Sequence, residues 1–260
     1  MSSYAADTVV VGAGVIGLAV ARALALAGRE VIVLEANGAI GQETSSRNSE
    51  VVHAGIYYPP GSLKARSCIR GRAQLEAYCR RRGVALRQCG KLIVAADKAQ
   101  VPRLQALRDN ARACGVDTLE ELGPKQLENR EPAVRGAGAL FSPETGIIDS
   151  HALMLALEAD LEAAGGIVAL NSRVAAGAAL AGGGCRLRVK NPEETSLEAR
   201  LLINAAGLHA TALARAIEGL PEHAVPRQYF ARGHYFTYPG AAPFSHLVYP
   251  LPQAGGLGIH

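Results

Sequence analysis

The chain has 260 residues, 49% of them hydrophobic and 19% charged, with a formal net charge of +4; it is long enough to bury a large core in one large or two small domains. No apolar run reaches the roughly 18 to 20 residues that span a bilayer, because Arg22 and Arg29 interrupt the first long one, and 5% aromatic residues with no Trp offer nucleic acid no stacking platform. Five cysteines without CxxC spacing, Cys68, Cys79, Cys89, Cys114 and Cys185, predict reduced and mostly buried thiols rather than a disulfide framework or a metal site.

At the N-terminus the chain enters its first strand within about eight residues, which leaves no room for a leader and predicts a soluble, cytoplasmic protein of bacterial type. The apolar run Thr8-Val9-Val10-Val11 leads into Gly12-Ala13-Gly14-Val15-Ile16-Gly17 and an Ala-rich helix to Ala27. In such a strand-turn-helix the first glycine permits the tight turn, the second lets a pyrophosphate approach the backbone, and the third lets the helix pack on the sheet. Free N–H groups at the helix start face the anion. Gly28 suits the position after the helix, Val31-Ile32-Val33-Leu34 forms the next buried strand, and Glu35 ends it, 23 residues beyond Gly12. A carboxylate there accepts both ribose hydroxyls of an adenine dinucleotide. Five elements in register make dinucleotide binding a far better reading than an ordinary glycine turn.

The segment Gln42 to Ser49 is too rich in hydroxyls and amides for an ordinary crossover. A long helix closed by Gly83 carries Lys64, Arg66, Arg70, Arg72, Arg80, Arg81 and Arg82 against Glu76 alone; it reads as a solvated face, or as a peripheral patch for anionic lipid. Beyond it, Ala85–Gln88 and Lys91–Ala95 look like paired strands, Val101–Cys114 has a helical period, and 120–134 holds a short helix ended by Pro132. Two short strands follow at 138–141 and 146–148, then a helix from about His151 to Ala164. Residues 167–170, 173–179, 185–189 and 197–202 are strand-like. The run Leu201 to Gly207 is a second buried strand ending in a small-residue turn, with a helix from Leu208 to Ile217. The fold expected is α/β: a Rossmann-like nucleotide-binding domain in two parts (1–83 and 146–219) and a mostly antiparallel α+β substrate domain (84–145 and 220–260).

The run Ser45-Ser46-Arg47-Asn48-Ser49-Glu50-Val51-Val52-His53-Ala54-Gly55-Ile56-Tyr57-Tyr58-Pro59-Pro60-Gly61-Ser62-Leu63-Lys64-Ala65 resembles the FAD-dependent oxidoreductases of the D-amino-acid-oxidase and glycerol-3-phosphate-dehydrogenase type. Within them it looks most like the L-2-hydroxyglutarate dehydrogenase/oxidase group. The likeness continues in Phe141 to Asp149, Ile203 to Leu208, and Gly233-His234-Tyr235-Phe236 through Tyr249-Pro250-Leu251-Pro252. The resemblance implies FAD, with Gly12, Gly14, Val15, Ile16, Gly17 and Glu35 on its ADP half. It also implies Thr44, Ser45 and Ser46 at the pyrophosphate, Asn48 and Ser49 on the flavin side, the main chain at Val174 on adenine, and Ala206-Gly207 against the cofactor. The implied reaction is oxidation of a 2-hydroxy acid, foremost L-2-hydroxyglutarate to 2-oxoglutarate, by hydride transfer from C2 to flavin N5, with oxygen or a quinone as acceptor. Members of the group are longer, so a chain ending at Gly258-Ile259-His260 reads as part of a longer protein and is expected neither to hold FAD tightly nor to turn over alone.

Hydride transfer leaves the hydroxyl proton for a base, and imidazole takes a proton at neutral pH. His53, directly after the polar loop, is the expected base; a covalent link to FAD is a lesser use for it. Tyr57 and Tyr58 either donate hydrogen bonds to a carboxylate or pack a domain boundary. His234 and Tyr235 are candidates for the pocket wall, with His260 a weaker one. Arg227 and Arg232 are candidates for a bidentate carboxylate contact. A sibling enzyme oxidising glycerol 3-phosphate or an amino acid, and a non-catalytic dinucleotide-binding fragment, stay open as alternatives.

Overall fold

A computed structural model describes residues 3–252. In chain order the elements are β1 (Ser3–Val11), α1 (Val15–Leu26), β2 (Val31–Leu34), β3 (Val51–Val52), α2 (Leu63–Arg82), β4 (Leu86–Arg87), β5 (Lys91–Ala95), α3 (Val101–Ala113), β6 (Glu120–Leu122), α4 (Pro124–Arg130), β7 (Gly138–Ser142) and β8 (Gly146–Ile148). They continue as α5 (Ser150–Ala163), β9 (Ile167–Ala169), β10 (Arg173–Ala179), β11 (Cys185–Lys190), β12 (Thr195–Asn204), α6 (Ala210–Arg215), β13 (Ile217–Glu218) and β14 (Leu247–Pro250). Two compact units result, one from residues 3–48 with Ser150–Phe230 and one from Ser49–Asp149 with 231–252. The sequence reading drew its first boundary after the basic helix, at 83/84; α2 instead falls in the second unit.

The first unit is built on a seven-stranded sheet in the order β13-β10-β11-β12-β1-β2-β9. Strands β12, β1, β2 and β9 run parallel, and β12, β11 and β10 form an antiparallel meander on one side. Thr8, Val9 and Val10 in β1, an interior strand, are fully buried, which is why that strand reads as a continuous apolar run rather than an alternation. Leu18, Ala21 and Ala25 make the buried stripe of α1, and Gly28, at φ +83°, ends it in the left-handed conformation. Arg22 of α1 pairs with the buried Asp160 of α5.

In the second unit a four-stranded sheet, β14-β5-β7-β6, accompanies a three-stranded one, β3-β8-β4. All five residues of β5 are buried. Ile93 and Ala95 join a core with Ala54, Ile56, Leu104 and Leu140, while Leu92 and Val94 pack with Leu122, Leu127 and Ala139: two faces of one strand, both covered. Helix α2 starts where the Ser62 side chain accepts from the Ala65 N–H and stops at Gly83, φ +68°.

Three expectations are corrected. The strands at 85–88 and 91–95 do not pair with each other: β4 pairs with β8 and β5 with β7 and β14, because Gly90, at φ +71°, turns the chain from one sheet to the other. The helix at 208–217 is a single turn at Gly207–His209 followed by α6, and Ile217 already belongs to a strand. After Leu220 the described residues add one strand to the second unit, β14, whose parallel pairing with β5 is the exception in an otherwise antiparallel set. Only Cys79 and Cys185 are buried; Cys68, Cys89 and Cys114 are half-buried, and all five are free.

Candidate active site

In the first unit β1 lies next to β12, and the chain leaves the carboxyl end of β1 towards β2 on one side and that of β12 towards β13 on the other. A sheet opens a crevice at such a switch point. Gly12 sits there at φ +102°, and a Cβ on it would lie 2.6 Å from the Ala205 carbonyl oxygen. A Cβ on Gly17 would lie 1.9 Å from the Gly12 oxygen, so the turn and the first helical residues close on each other with no room for a side chain. Helix α1 has no capping side chain at Gly14; the Ser45 hydroxyl accepts from the Val15 N–H at 3.0 Å. This places the 44–46 turn over the helix N-terminus. Gly207, beside Ala206 at the end of β12, faces Thr44 across 4.0 Å from its own Cβ position. Asn48 donates to the Ser45 carbonyl at 2.9 Å, closing the loop on itself.

Glu35 is buried at the end of β2. Its Oε2 accepts from the Ala13 N–H at 2.8 Å, and its Oε1 accepts from the Asn37 backbone and side chain at 2.8 and 2.9 Å. Ser172 donates to the Glu35 carbonyl at 2.7 Å, which brings the start of β10, and Val174 two residues on, alongside. Val15, Ile16, Thr44, Ser46 and the 206–207 turn are partly or fully exposed.

The second unit assembles a different cluster. His53 is exposed after β3, and its carbonyl accepts from the Cys68 thiol of α2 at 3.4 Å. Ser49 is half-buried at the head of the same segment. Asn110 of α3 donates to the carbonyls of Ile56 and Tyr58 at 2.9 and 3.1 Å, so the segment after His53 is held from two helices. Tyr58 faces Lys64, whose Nζ is 4.6 Å from its ring centre.

Lys91, which the sequence reading passed over, lies at the centre. It is fully buried, with Nζ 4.5 Å from the centre of the Tyr57 ring and 4.7 Å from that of Tyr249. That Nζ has no hydrogen-bond partner. Burial brings the ammonium down from its ordinary 10.5 to about 8, against an opposing influence of Cys68. Burial, with Tyr249 and Tyr58 beside it, pushes the Tyr57 phenol well above its usual range. Tyr249 and Cys68 are raised by burial first as well, Tyr249 also by Tyr235. The signal in the sequence was the period of two: Lys91 shares a strand face with Ile93 and Ala95.

Of the remaining expected residues, Arg227, Arg232, His234 and Tyr235 are exposed on a stretch without regular structure, and only Tyr235 reaches the cluster, through Tyr249. His260 lies outside the described residues. Among these no group of His, Cys, Asp and Glu could hold a metal, and no helix is long and apolar enough to cross a membrane.

A model of the FAD dependent oxidoreductase family matches residues 7–260. The chain belongs to that family. It is similar to the mitochondrial L-2-hydroxyglutarate dehydrogenase of Arabidopsis thaliana, 42% identical over 98% of this chain and 59% of that one. It is similar as well to the human protein of the same name, 33% identical over 100% of this chain and 58% of that one. It therefore spans about three fifths of the length of these relatives. Its fold is similar to that of dithionite-reduced L-α-glycerophosphate oxidase of Mycoplasma pneumoniae with FAD bound: the TM-score is 0.77 and the identity 26%, over 84% of this chain and 57% of that one.

The residues of this member of the family fit the ADP half of FAD. Gly12 and Gly17 leave the turn bare, and the Glu35 carboxylate, with three donors on about four acceptor positions, keeps capacity for a ribose hydroxyl.

Lys91 carries a stability prediction. Its folded-state value lies below the unfolded one, so the unfolded chain binds more protons between about pH 8 and 10.5 and stability rises with pH through that window. At neutral pH the buried charge costs on the order of 3 kcal/mol, of which the two ring faces return about 1–2. Lys91→Met is expected to raise stability in urea by about 1–2 kcal/mol at pH 7, with a smaller gain at pH 9.5. A variant equally destabilised at both pH values would contradict the burial argument.

Proposed function

We propose that the full-length protein containing this chain is an FAD-dependent dehydrogenase or oxidase of 2-hydroxy acids that converts L-2-hydroxyglutarate to 2-oxoglutarate. The observation that carries this reading is the 42% identity, over 98% of this chain, to a relative named for that substrate. When bound, FAD supplies a two-electron acceptor for the substrate's C2 hydride. The first unit is assigned to the cofactor. Gly12, Gly14, Val15, Ile16, Gly17 and Glu35 bind its ADP half, Thr44, Ser45 and Ser46 the pyrophosphate, Val174 the adenine and Asn48 the flavin side, while Ala206 and Gly207 lie against the cofactor; Ser49, the first residue of the second unit, is assigned to the flavin side as well.

The second unit is assigned to the substrate. An imidazole nitrogen of His53 takes the C2 hydroxyl proton; the Cys68 contact to its carbonyl supports this role by fixing the backbone from which the ring projects. Tyr57, Tyr58 and Tyr235 contribute to the substrate wall and Arg232 to anion recognition, a role also assigned to Arg227, which belongs to the first unit. Electrons leave to oxygen or a quinone. Arg66, Arg70, Arg80, Arg81 and Arg82 are exposed on α2, which supports contact with an anionic membrane surface and a place at the cytoplasmic face; Arg72 is withdrawn from such a surface by Glu76 and Glu144.

With a dye acceptor the full-length protein is expected to oxidise L-2-hydroxyglutarate and to leave the D enantiomer almost untouched, since one fixed geometry offers one face of C2. Faster turnover of glycerol 3-phosphate or of an amino acid would reassign it to a sibling activity.

A further inference from the structure

A lysine with no exposed surface is the least expected residue at the start of a strand whose four other residues are Leu92, Ile93, Val94 and Ala95, all buried. Unpaired charges are expensive to bury and are kept where a partner completes them. The two tyrosine faces attract the cation, but a ring face accepts none of the three N–H bonds an ammonium offers, and Nζ has no other acceptor.

The neighbours supply no anion either. The Tyr57 and Tyr249 phenols and the Cys68 thiol are all held protonated at neutral pH by burial. Of the carboxylates in this unit, Glu76 and Glu144 are paired with Arg72.

The surroundings are built to hold this geometry. Tyr249 is delivered by β14, whose approach is fixed by Glu131: its Oε2 accepts from the Ser245 N–H at 3.0 Å, the Ser245 hydroxyl at 2.9 Å and the His246 N–H at 3.1 Å, and lies 2.8 Å from His246 Nδ1. Burial alone would raise that carboxyl; the His246 and Ser245 hydrogen bonds outweigh it and bring it below the usual range. Tyr57 is delivered by the segment that begins at His53 and is pinned by Asn110. The two rings that face Nζ, Tyr57 and Tyr249, are themselves half-buried, and Tyr235 is exposed.

We propose that Lys91 is the buried cation that receives a carboxylate of a dicarboxylic substrate, its ammonium held in place by the faces of Tyr57 and Tyr249. This rests on the 2-hydroxy-dicarboxylate reading above and adds a specificity-determining residue to it. A bound carboxylate supplies the missing acceptor and counter-charge together.

The test uses the full-length, FAD-loaded protein and glutarate, a dicarboxylate with no hydroxyl to oxidise, titrated by calorimetry. Lys91→Met is expected to weaken glutarate binding 10- to 100-fold and to raise KM for L-2-hydroxyglutarate by a similar factor, with a much smaller change in kcat. Lys91→Arg, which keeps the charge, is expected to recover part of both. Bound flavin and the unfolding midpoint, read on the same preparations, show that each variant is folded. If Lys91→Met is folded, binds glutarate within about twofold of the parent and keeps its KM, or loses kcat with its glutarate affinity intact, the inference is overturned while the function stands. If the parent neither oxidises L-2-hydroxyglutarate nor binds glutarate, both are overturned.

Discussion

Glu35→Ala in the full-length protein is expected to purify without flavin. The substitution removes the carboxylate proposed for the ribose and at the same time orphans the Ala13 N–H and the Asn37 donors that it now holds. Two charge-assisted hydrogen bonds to a ribose are worth about 3–6 kcal/mol together, or roughly 10²- to 10⁴-fold in FAD affinity. Gly17→Ala is expected to be at least as severe, because its Cβ would stand 1.9 Å from the backbone oxygen of Gly12 and backbone has nowhere to yield. Glu35→Gln separates the two effects: one acceptor oxygen remains, so it should retain more flavin than the alanine variant. Flavin per polypeptide after desalting is the readout, and an alanine variant that keeps its full complement of FAD would remove Glu35 from the cofactor site.

His53→Ala and His53→Gln are expected to keep FAD, since the ADP contacts are assigned to the other unit, and to lower kcat by roughly 10²- to 10⁴-fold, the usual worth of a positioned general base. The pH profile of kcat/KM should lose its limb near neutrality. A histidine that serves structure alone would instead lower thermal stability and flavin content while turnover per bound flavin stayed nearly constant. That pattern would move the base to His234 or to a histidine outside the described residues.

The cofactor half of the fold was legible because its information is local. The spacing of Gly12, Gly14 and Gly17, the apolar runs on either side and Glu35 at the end of β2 all lie within 28 residues, and the short-range sterics of a strand-turn-helix impose them. The second unit depends on contacts distant in sequence. Nothing near Lys91 announces Tyr249, which reaches it only because β14 adds in parallel to β5, or Glu131, which fixes the approach of β14. A lysine opening an apolar strand reads as its solvated end until a second layer is known to cover it. For the same reason 85–95 read as a hairpin: two short apolar runs joined by a glycine look alike whether the turn returns the chain to one sheet or passes it to the next.

The most direct measurement is the visible spectrum of the full-length protein, purified and mixed anaerobically with L-2-hydroxyglutarate in the absence of any acceptor. The account predicts the absorption of oxidised flavin before mixing and its bleaching on mixing, with one 2-oxoglutarate formed per flavin reduced and no change with the D enantiomer. A colourless protein that takes up a nicotinamide dinucleotide, or a yellow one that L-2-hydroxyglutarate leaves oxidised, would contradict it.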